Sequence, residues 1–120
     1  MFKFALGVAG LLLVAAPASA AVYTNTEAAT HVGEQATVQG RVTGVHLSTR
    51  GTLFLNFGLP FPSSNFVAMV PATDAAKFGD PNQYKNKTVQ VSGKIQMYQE
   101  KPEIVMHGAD QLKVMPADSN

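Results

Sequence analysis

Cysteine is absent from the 120 residues of this chain. That absence excludes disulfides, thiol redox catalysis, lipid attachment to a cysteine, and zinc or iron–sulfur sites built on thiolates. Charge of one sign is also lacking, because the residues after the first twenty carry eight basic and eight acidic side chains. A neutral body argues against a strongly basic nucleic-acid clamp and against a polybasic membrane binder.

Long apolar runs are missing outside the first twenty residues. Within them, Lys3 precedes an apolar run over 4–16, and Ala18-Ser19-Ala20 has the A-x-A pattern of a cleavage site. The run is shorter than the roughly 20 residues that a membrane-spanning helix needs. We therefore predict a signal peptide over 1–20, cleavage after Ala20, and a periplasmic or secreted product that is not inserted in a membrane.

The remaining residues predict a single domain built of strands. After a polar lead-in over 21–35, apolar and polar residues alternate from Ala36, and the alternation shifts phase at Gly44. Such a shift predicts a long first strand with a β-bulge or tight bend. Further predicted strands cover 52–57, 65–70, 88–98 and 102–106, with a short closing strand over 111–115.

One short helix is expected over 72–79, started by Thr73 or Asp74 and ended by Gly79. The predicted order is therefore three strands, one helix and two strands. This is the order of the OB-fold, a five-stranded Greek-key barrel. We therefore predict an all-β OB-fold domain over 36–115, followed by a disordered tail over 116–120. A β-sandwich is the alternative, although it usually has more strands.

Motifs for catalysis are not found. His31, His46 and His107 form no H-x-x-x-H pair, and the sequence has no G-x-S-x-G, G-x-x-x-x-G-K or G-x-G-x-x-G. Glu100 and Glu103 flank a predicted turn, and we therefore expect both to be solvated surface carboxylates. A catalytic acid–base pair would need a pocket that separates their pKa values, and the sequence does not suggest one. The sequence thus predicts a binding protein that is not an enzyme, with no cofactor and no metal.

Several segments carry a family resemblance: GRVTGVHLS (40–48), GTLFLNFG (51–58), PSSNFVAMV (62–70) and NKTVQVSGKIQMYQEKPEIVM (86–106). Between Val32 and Leu112 the chain resembles a group of bacterial exported OB-fold domains. Members of that group are described as nucleic-acid-binding-type domains, and some are fused to secreted nucleases. The resemblance implies binding of single-stranded nucleic acid or oligonucleotides without sequence specificity. Glu100 departs from the pattern, because the group usually has glycine there.

Single strands are held by stacked aromatic rings in a basic groove, and OB-folds bind them on the outer face of their second and third strands with the adjoining loops. The alternation and the loops predict the following site residues: Arg41, His46, Arg50, Phe54, Asn56, Met69, Tyr98 and Lys101. Among them, the rings of Phe54 and Tyr98 are expected to stack on bases. The cations are expected to contact phosphates.

A second function stays open at this point, namely a neutral barrel that binds a protein, a peptide or an oligosaccharide. The loop GLPFPSSN (58–65) offers apolar side chains for such a partner. A basic stripe across the second and third strands would favour nucleic acid, whereas a neutral aromatic groove would favour a sugar or a peptide. In either case we expect a monomer.

Overall fold

The computed structural model describes residues 21–60 and 63–116. The predicted signal peptide and residues 117–120 of the predicted tail lie outside the described residues. The described chain is all-β, with eight strands in one sheet. The strands are β1 (Val22–Thr24), β2 (Gln35–Leu47), β3 (Leu53–Gly58), β4 (Ser64–Val70), β5 (Thr88–Lys94), β6 (Gln96–Tyr98), β7 (Lys101–Val105) and β8 (Leu112–Val114).

Hydrogen bonds place the strands in the order β6-β7-β4-β3-β2-β5-β8, and β1 pairs with β2. β2 is long enough to pair with β5 along its first half and with β3 along its second half. The pairs β1–β2 and β4–β7 are parallel, and the other pairs are antiparallel. The predicted all-β class is confirmed. The observed sheet is an open path of more strands than the five predicted.

A β-bulge divides β2 into its two halves. Val42 pairs with Phe57 and Gly44 pairs with Asn56, so that Thr43 is an extra residue on β2. An extra residue exchanges the two faces of a strand. Val42 is therefore buried before the bulge, and Val45 packs against the core after it. The predicted shift at Gly44 is confirmed.

The core lies beneath the inward faces of β2, β3, β4, β5 and β7. Its largest aromatic pair is Phe57 and Phe66, whose ring centroids are 5.1 Å apart in an edge-to-face arrangement. Gly93 belongs to this packing, since a Cβ atom there would lie 2.7 Å from Ile104 Cγ2. The largest fully buried side chains are Val38, Val42, Leu53, Leu55, Phe57, Phe66, Val70, Val89, Val91, Ile95, Ile104 and Met106.

The predicted helix over 72–79 is wrong in type and length. The chain there forms a 3-10 helix over Ala75–Phe78 and a second one over Pro81–Tyr84. Gly79 does end the first of them, with a φ of 70°. No helix among the described residues is long and apolar enough to cross a membrane.

Asp74 explains why the predicted cap does not form. It occupies the N-cap position of the first 3-10 helix, but its side chain makes no capping hydrogen bond. Its carboxylate instead accepts from Lys77 Nζ at 2.8 Å and lies 3.0 Å from His107 Nδ1. Hydrogen bonds from Lys77 and then His107 lower the pKa of Asp74. The carboxylate thus ties this segment to the residues that follow β7.

The predicted strand over 88–98 is interrupted, because Ile95 separates β5 from β6. Its backbone bonds to the lead-in instead, since Ile95 N donates to Glu34 O and Gly33 N donates to Ile95 O. The alternation therefore does not continue into β6. Met97, which the alternation places on the same face as Val89 and Val91, is 49% exposed, whereas those two residues are buried.

The lead-in over 21–35 contains structure that the sequence did not predict. β1 runs parallel to β2, and a 3-10 helix covers Ala28–Thr30. The Tyr23 hydroxyl donates to Glu34 Oε1 at 2.7 Å, and His31 Nδ1 lies 2.8 Å from Glu34 Oε2. The rings of Tyr23 and His31 stack with centroids 3.6 Å apart. Glu34 therefore joins the lead-in to the start of β2.

These contacts predict an acid-sensitive attachment of β1. Hydrogen bonds from Tyr23 and then His31 hold the pKa of Glu34 below its usual 4.5. A lowered pKa in the folded state means that the stabilisation is present above the unfolded value and is lost as pH falls through the folded value. The backbone amides of Asn25 and Thr37 donate to Gln39 O and Ala21 O and so join the β1 segment to β2. We expect their protection from exchange to decline as the pH falls below the usual glutamate pKa of 4.5.

The substitution Glu34→Gln is expected to lower this protection at neutral pH and to remove its acid dependence. Protection factors from amide exchange measured by NMR between pH 3 and 7 provide the test. Glu100→Gln, which changes an exposed carboxylate elsewhere, is the control and is expected to behave as the unmodified chain. An acid dependence that survives in Glu34→Gln would contradict the assignment.

Candidate functional site

A groove of about 480 Å³ lies on the outer face of the sheet. It crosses β2, β3, β4 and β7, and it is bordered by the turn between β6 and β7 and by Pro60 after β3. Most of its exposed surface is apolar. The lining residues are Thr43, Gly44, Val45, His46, Phe54, Asn56, Pro60, Val67, Tyr98, Gln99, Lys101 and Glu103.

The register of the sheet explains why these residues meet. One row of paired residues runs across five strands through Gly44, Asn56, Val67, Glu103 and Gln96. Residues two positions apart on a strand share a face. Residues of the next row, two positions away on β2 and β3, therefore project into the same groove.

His46 and Phe54 supply a stacked ring pair in that second row. They face each other across β2 and β3, with ring centroids 6.0 Å apart and ring planes inclined by 23°. His46 is exposed and Phe54 is half-buried. One face of a flat ligand can therefore rest on rings whose positions the sheet already fixes.

Tyr98 supplies a third ring from the opposite side of the groove. It pairs with Lys101 across a two-residue turn in which Gln99 and Glu100 both have positive φ, of 50° and 68°. A turn of this kind favours Asn-Gly, because side chains disfavour left-handed backbone. Its tightness sets Tyr98, which is 53% exposed, directly beside Lys101.

Two polar side chains are almost completely buried at the base of the groove. Asn56 is 6% exposed and Glu103 is 3% exposed, and both pair with Val67, one from each side. Burial raises the pKa of the Glu103 carboxyl, while a hydrogen bond from Gln96 acts in the opposite direction. Glu103 was expected to be a solvated carboxylate, and that expectation is wrong; the expectation for Glu100, which is exposed, is confirmed.

Five of the eight predicted site residues line the groove: His46, Phe54, Asn56, Tyr98 and Lys101. Arg41 lies before the bulge, where it pairs with Thr88 on β5, and Arg50 is exposed in the turn after β2. Met69 pairs with Phe54 and lies beside the groove without lining it. The structure therefore brings the predicted rings together and leaves two of the predicted cations outside.

Sequence reasoning missed Glu103 as a groove residue. Part of the position of Glu103 could be predicted from the sequence. Pro102 and Ile104 are apolar, so the alternation places Glu103 on the opposite face of the strand, together with Lys101. What covers that face could not be inferred, because the partners of β7 come from β4 and β6. Lys101 itself donates from Nζ to Ser64 O at 3.0 Å, which fixes its stem along β4.

The electrostatics of the groove are close to balanced, because its lining contains one lysine and one glutamate along with His46. This is not the basic stripe that would mark a high-affinity nucleic-acid surface. Within 21–60 and 63–116, no three histidine or acidic side chains gather in a way that could hold a metal ion. The arrangement is suited to stacking and hydrogen bonding.

Comparisons with known proteins bear on the fold. No protein-family model and no curated protein matches the chain. Fifteen chains of solved structure match, among them one described as an aspartyl-tRNA synthetase from Leishmania major Friedlin, with a TM-score of 0.52 and 11% sequence identity. The match covers 82% of this chain and 21% of the synthetase, so this chain spans about a fifth of that protein. At this identity the similarity shows the fold alone.

Proposed function

We propose that this protein is an OB-fold binding protein that holds a short stretch of single-stranded nucleic acid in the groove. The observation that carries the proposal is the set of three rings, His46, Phe54 and Tyr98, on the two sides of one apolar groove. Bases stack on such rings whatever their sequence, because every base has a π face. The proposed activity is binding without catalysis.

The topology supports the five-stranded barrel on which this proposal depends. β6 and β5 stand near opposite ends of the strand order, yet only Ile95 separates them in the chain. Counted as one bent strand, they join the two ends of the path β7-β4-β3-β2-β5. The groove then lies on strands β3 and β4 and beside the last hairpin, which is where OB-folds bind oligonucleotides. The neighbour named for a tRNA substrate agrees with this proposal.

The charges of the groove predict weak and only mildly salt-dependent binding. Each phosphate contact on a single strand contributes about −0.7 to the slope of log K against log salt. With Lys101 as the lysine in the lining, we expect a slope of about −0.7 and a dissociation constant in the range of about 1–100 µM. Fluorescence anisotropy of a labelled mixed-sequence DNA of about ten nucleotides, at several salt concentrations, measures both.

Two lysine variants sharpen this experiment. Lys101→Gln is expected to bring the slope close to zero, because the phosphate contact is removed. Lys113→Gln removes the same charge from an exposed position on β8, on the far side of β5, and is expected to leave the slope unchanged. Absence of binding at low salt would refute the nucleic-acid function.

By the criterion stated from the sequence, the neutrality of the groove favours a second candidate, an oligosaccharide or peptide ligand, whereas the stacked rings and the position of the groove on β3 and β4 favour nucleic acid. The groove is nearly neutral and has Asn56 and Glu103 at its base, and amides and carboxylates are suited to hydroxyl and amide donors. Titration of short cell-wall-type glycans and peptides by calorimetry separates the two candidates. Glycan binding without DNA binding would select the second one.

Export is a further part of the proposal and rests on residues 1–20 alone. We propose that the protein reaches the periplasm or the medium after cleavage at Ala20, and that it acts there as a monomer. Intact mass and N-terminal sequencing of the chain purified from the periplasmic and culture fractions of a bacterial host test the cleavage. Light scattering measures the oligomeric state.

A further inference from the structure

The buried polar pair at the base of the groove points to a preference among bases. We propose that Glu103 selects guanine, by accepting hydrogen bonds from the N1–H and N2–H groups of a guanine that is stacked on the groove rings and lies over Val67. The inference rests on the proposed function. It adds a preference for one base, guanine, to stacking interactions that any base can make. Glu103 is the specificity-determining residue in this proposal.

The geometry provides a floor with a polar group on each side. Val67 pairs with Asn56 on one side and with Glu103 on the other. The backbones of Asn56 and Glu103 are therefore two strand spacings, or about 9.6 Å, apart. Tyr98 lies diagonally across from Glu103, because it pairs with Lys101, two positions earlier on β7. Phe54 lies diagonally across from Val67 by the same argument. A planar ring over Val67 therefore lies between Asn56 and Phe54 on β3 and Glu103 on β7, and Tyr98 stands one strand farther away, on β6.

Asn56 adds a second polar group at the base of the groove. The residue is 6% exposed and lines the groove, and its backbone carbonyl accepts from Thr43 Oγ1 at 3.1 Å. The buried side-chain atom without a hydrogen-bond partner among the described residues is Ser64 Oγ, so the amide of Asn56 is not an enclosed group. This amide can bond to a ligand that carries donors and acceptors along its edge.

The chemistry of a carboxylate distinguishes guanine from the other bases. An ionised carboxylate only accepts hydrogen bonds and can accept two in parallel from adjacent donors. Guanine presents two adjacent donors, N1–H and the N2 amino group. Adenine and cytosine place an acceptor nitrogen beside their amino group, and thymine flanks its single N–H with two carbonyl oxygens, so each brings an acceptor against the carboxylate.

Burial of Glu103 supports this selection. Burial raises the pKa of its carboxyl, while a hydrogen bond from Gln96 acts in the opposite direction. Two further donors from a ligand would stabilise the ionised form. The other charged or titratable groups that share the groove lining are Lys101 on the same strand, His46 on β2 and Tyr98 on β6.

The test compares oligothymidines of about ten nucleotides that carry one central guanosine, inosine, adenosine, cytidine or thymidine. We expect guanosine to bind about tenfold more tightly than thymidine, since one good bidentate contact discriminates at about that level. Inosine keeps N1–H but lacks the N2 amino group, and its affinity is expected to lie between the two. Competition in fluorescence anisotropy measures all five.

Glu103→Gln is expected to bring the guanosine-to-thymidine ratio close to one, because an amide offers only one acceptor oxygen. Glu100→Gln makes the same change three residues earlier at an exposed position and is expected to keep the ratio. Equal affinity for all five oligomers, or a ratio that survives in Glu103→Gln, would overturn the inference while leaving the proposed function standing. If none of the oligomers binds, the proposed function fails as well.

Discussion

Replacement of Phe57 by alanine is expected to lower the free energy of unfolding by about 3–5 kcal/mol. The ring is completely buried, packs edge-to-face against Phe66, and pairs with Val42 at the last position before the bulge in β2. Its removal leaves a cavity in the core, and the cost of that cavity adds to the cost of the lost apolar contacts. Domains of this size are stable by only about 5–15 kcal/mol, so the loss is a large part of the total. Urea unfolding followed by tyrosine fluorescence measures it.

Phe57→Leu is the matched control for this prediction. Leucine keeps much of the buried volume, and we expect a loss clearly smaller than that of alanine. A Phe57→Ala chain that unfolds at the same urea concentration as the unmodified protein would contradict the position assigned to this ring. The result concerns the fold alone and is independent of any ligand.

Replacement of Phe54 by alanine is expected to weaken binding of single-stranded DNA by about tenfold to a hundredfold. Stacking of one base on an aromatic side chain contributes about 1–3 kcal/mol, and each 1.4 kcal/mol is a factor of ten. Phe54 lies on the same strand as Phe57 but on the opposite face, where it lines the groove beside His46. Anisotropy titration of the mixed-sequence oligomer measures the change.

Two controls separate stacking from general damage. Phe54→Tyr retains the ring and is expected to keep the affinity within a few-fold. Met69→Ala removes a half-buried side chain that pairs with Phe54 but does not line the groove, and it is expected to have a much smaller effect on binding than Phe54→Ala. If Phe54→Ala binds DNA as tightly as the unmodified protein, the ring set does not form the binding surface.

Together, the two substitutions separate stability from binding on one strand. Phe57→Ala is expected to affect unfolding most strongly, and Phe54→Ala to affect binding most strongly. β3 has this property because its alternate side chains face the core and the groove. The bulge at Thr43 reverses the alternation along β2. Even-numbered residues such as Val42 face the core before the bulge, and even-numbered residues such as His46 face the groove after it.

Local patterns were sufficient for some elements and not for others. The alternation predicted the strands around Phe57 and Val89, and the shift at Gly44 predicted the bulge. The helix over 72–79 was predicted from capping residues, but the Asp74 carboxylate bonds to Lys77 and His107 rather than to the backbone. Competition from a distant residue such as His107 leaves no local trace in the sequence.

The groove shows the same division. Alternation placed Phe54 and Asn56 on the outer face, and the structure keeps both in the groove. Glu103 was placed at the surface because it flanks a predicted turn. The parallel pairing of β4 with β7 brings Glu103 beside Val67, 36 residues away in the chain, and neighbouring side chains cover it.

The sequence by itself determined the all-β class, the alternation of faces along each strand, the bulge in β2 and the aromatic residues of the outer face. These depend on the period of two and on backbone preferences, which act over a few residues. Only the tertiary structure decided which strands become neighbours, which carboxylate is buried and which cations, Arg41 and Arg50, lie outside the groove. Those outcomes depend on pairing between distant segments, because the environment of a side chain is set by the strands beside it rather than by its neighbours in sequence.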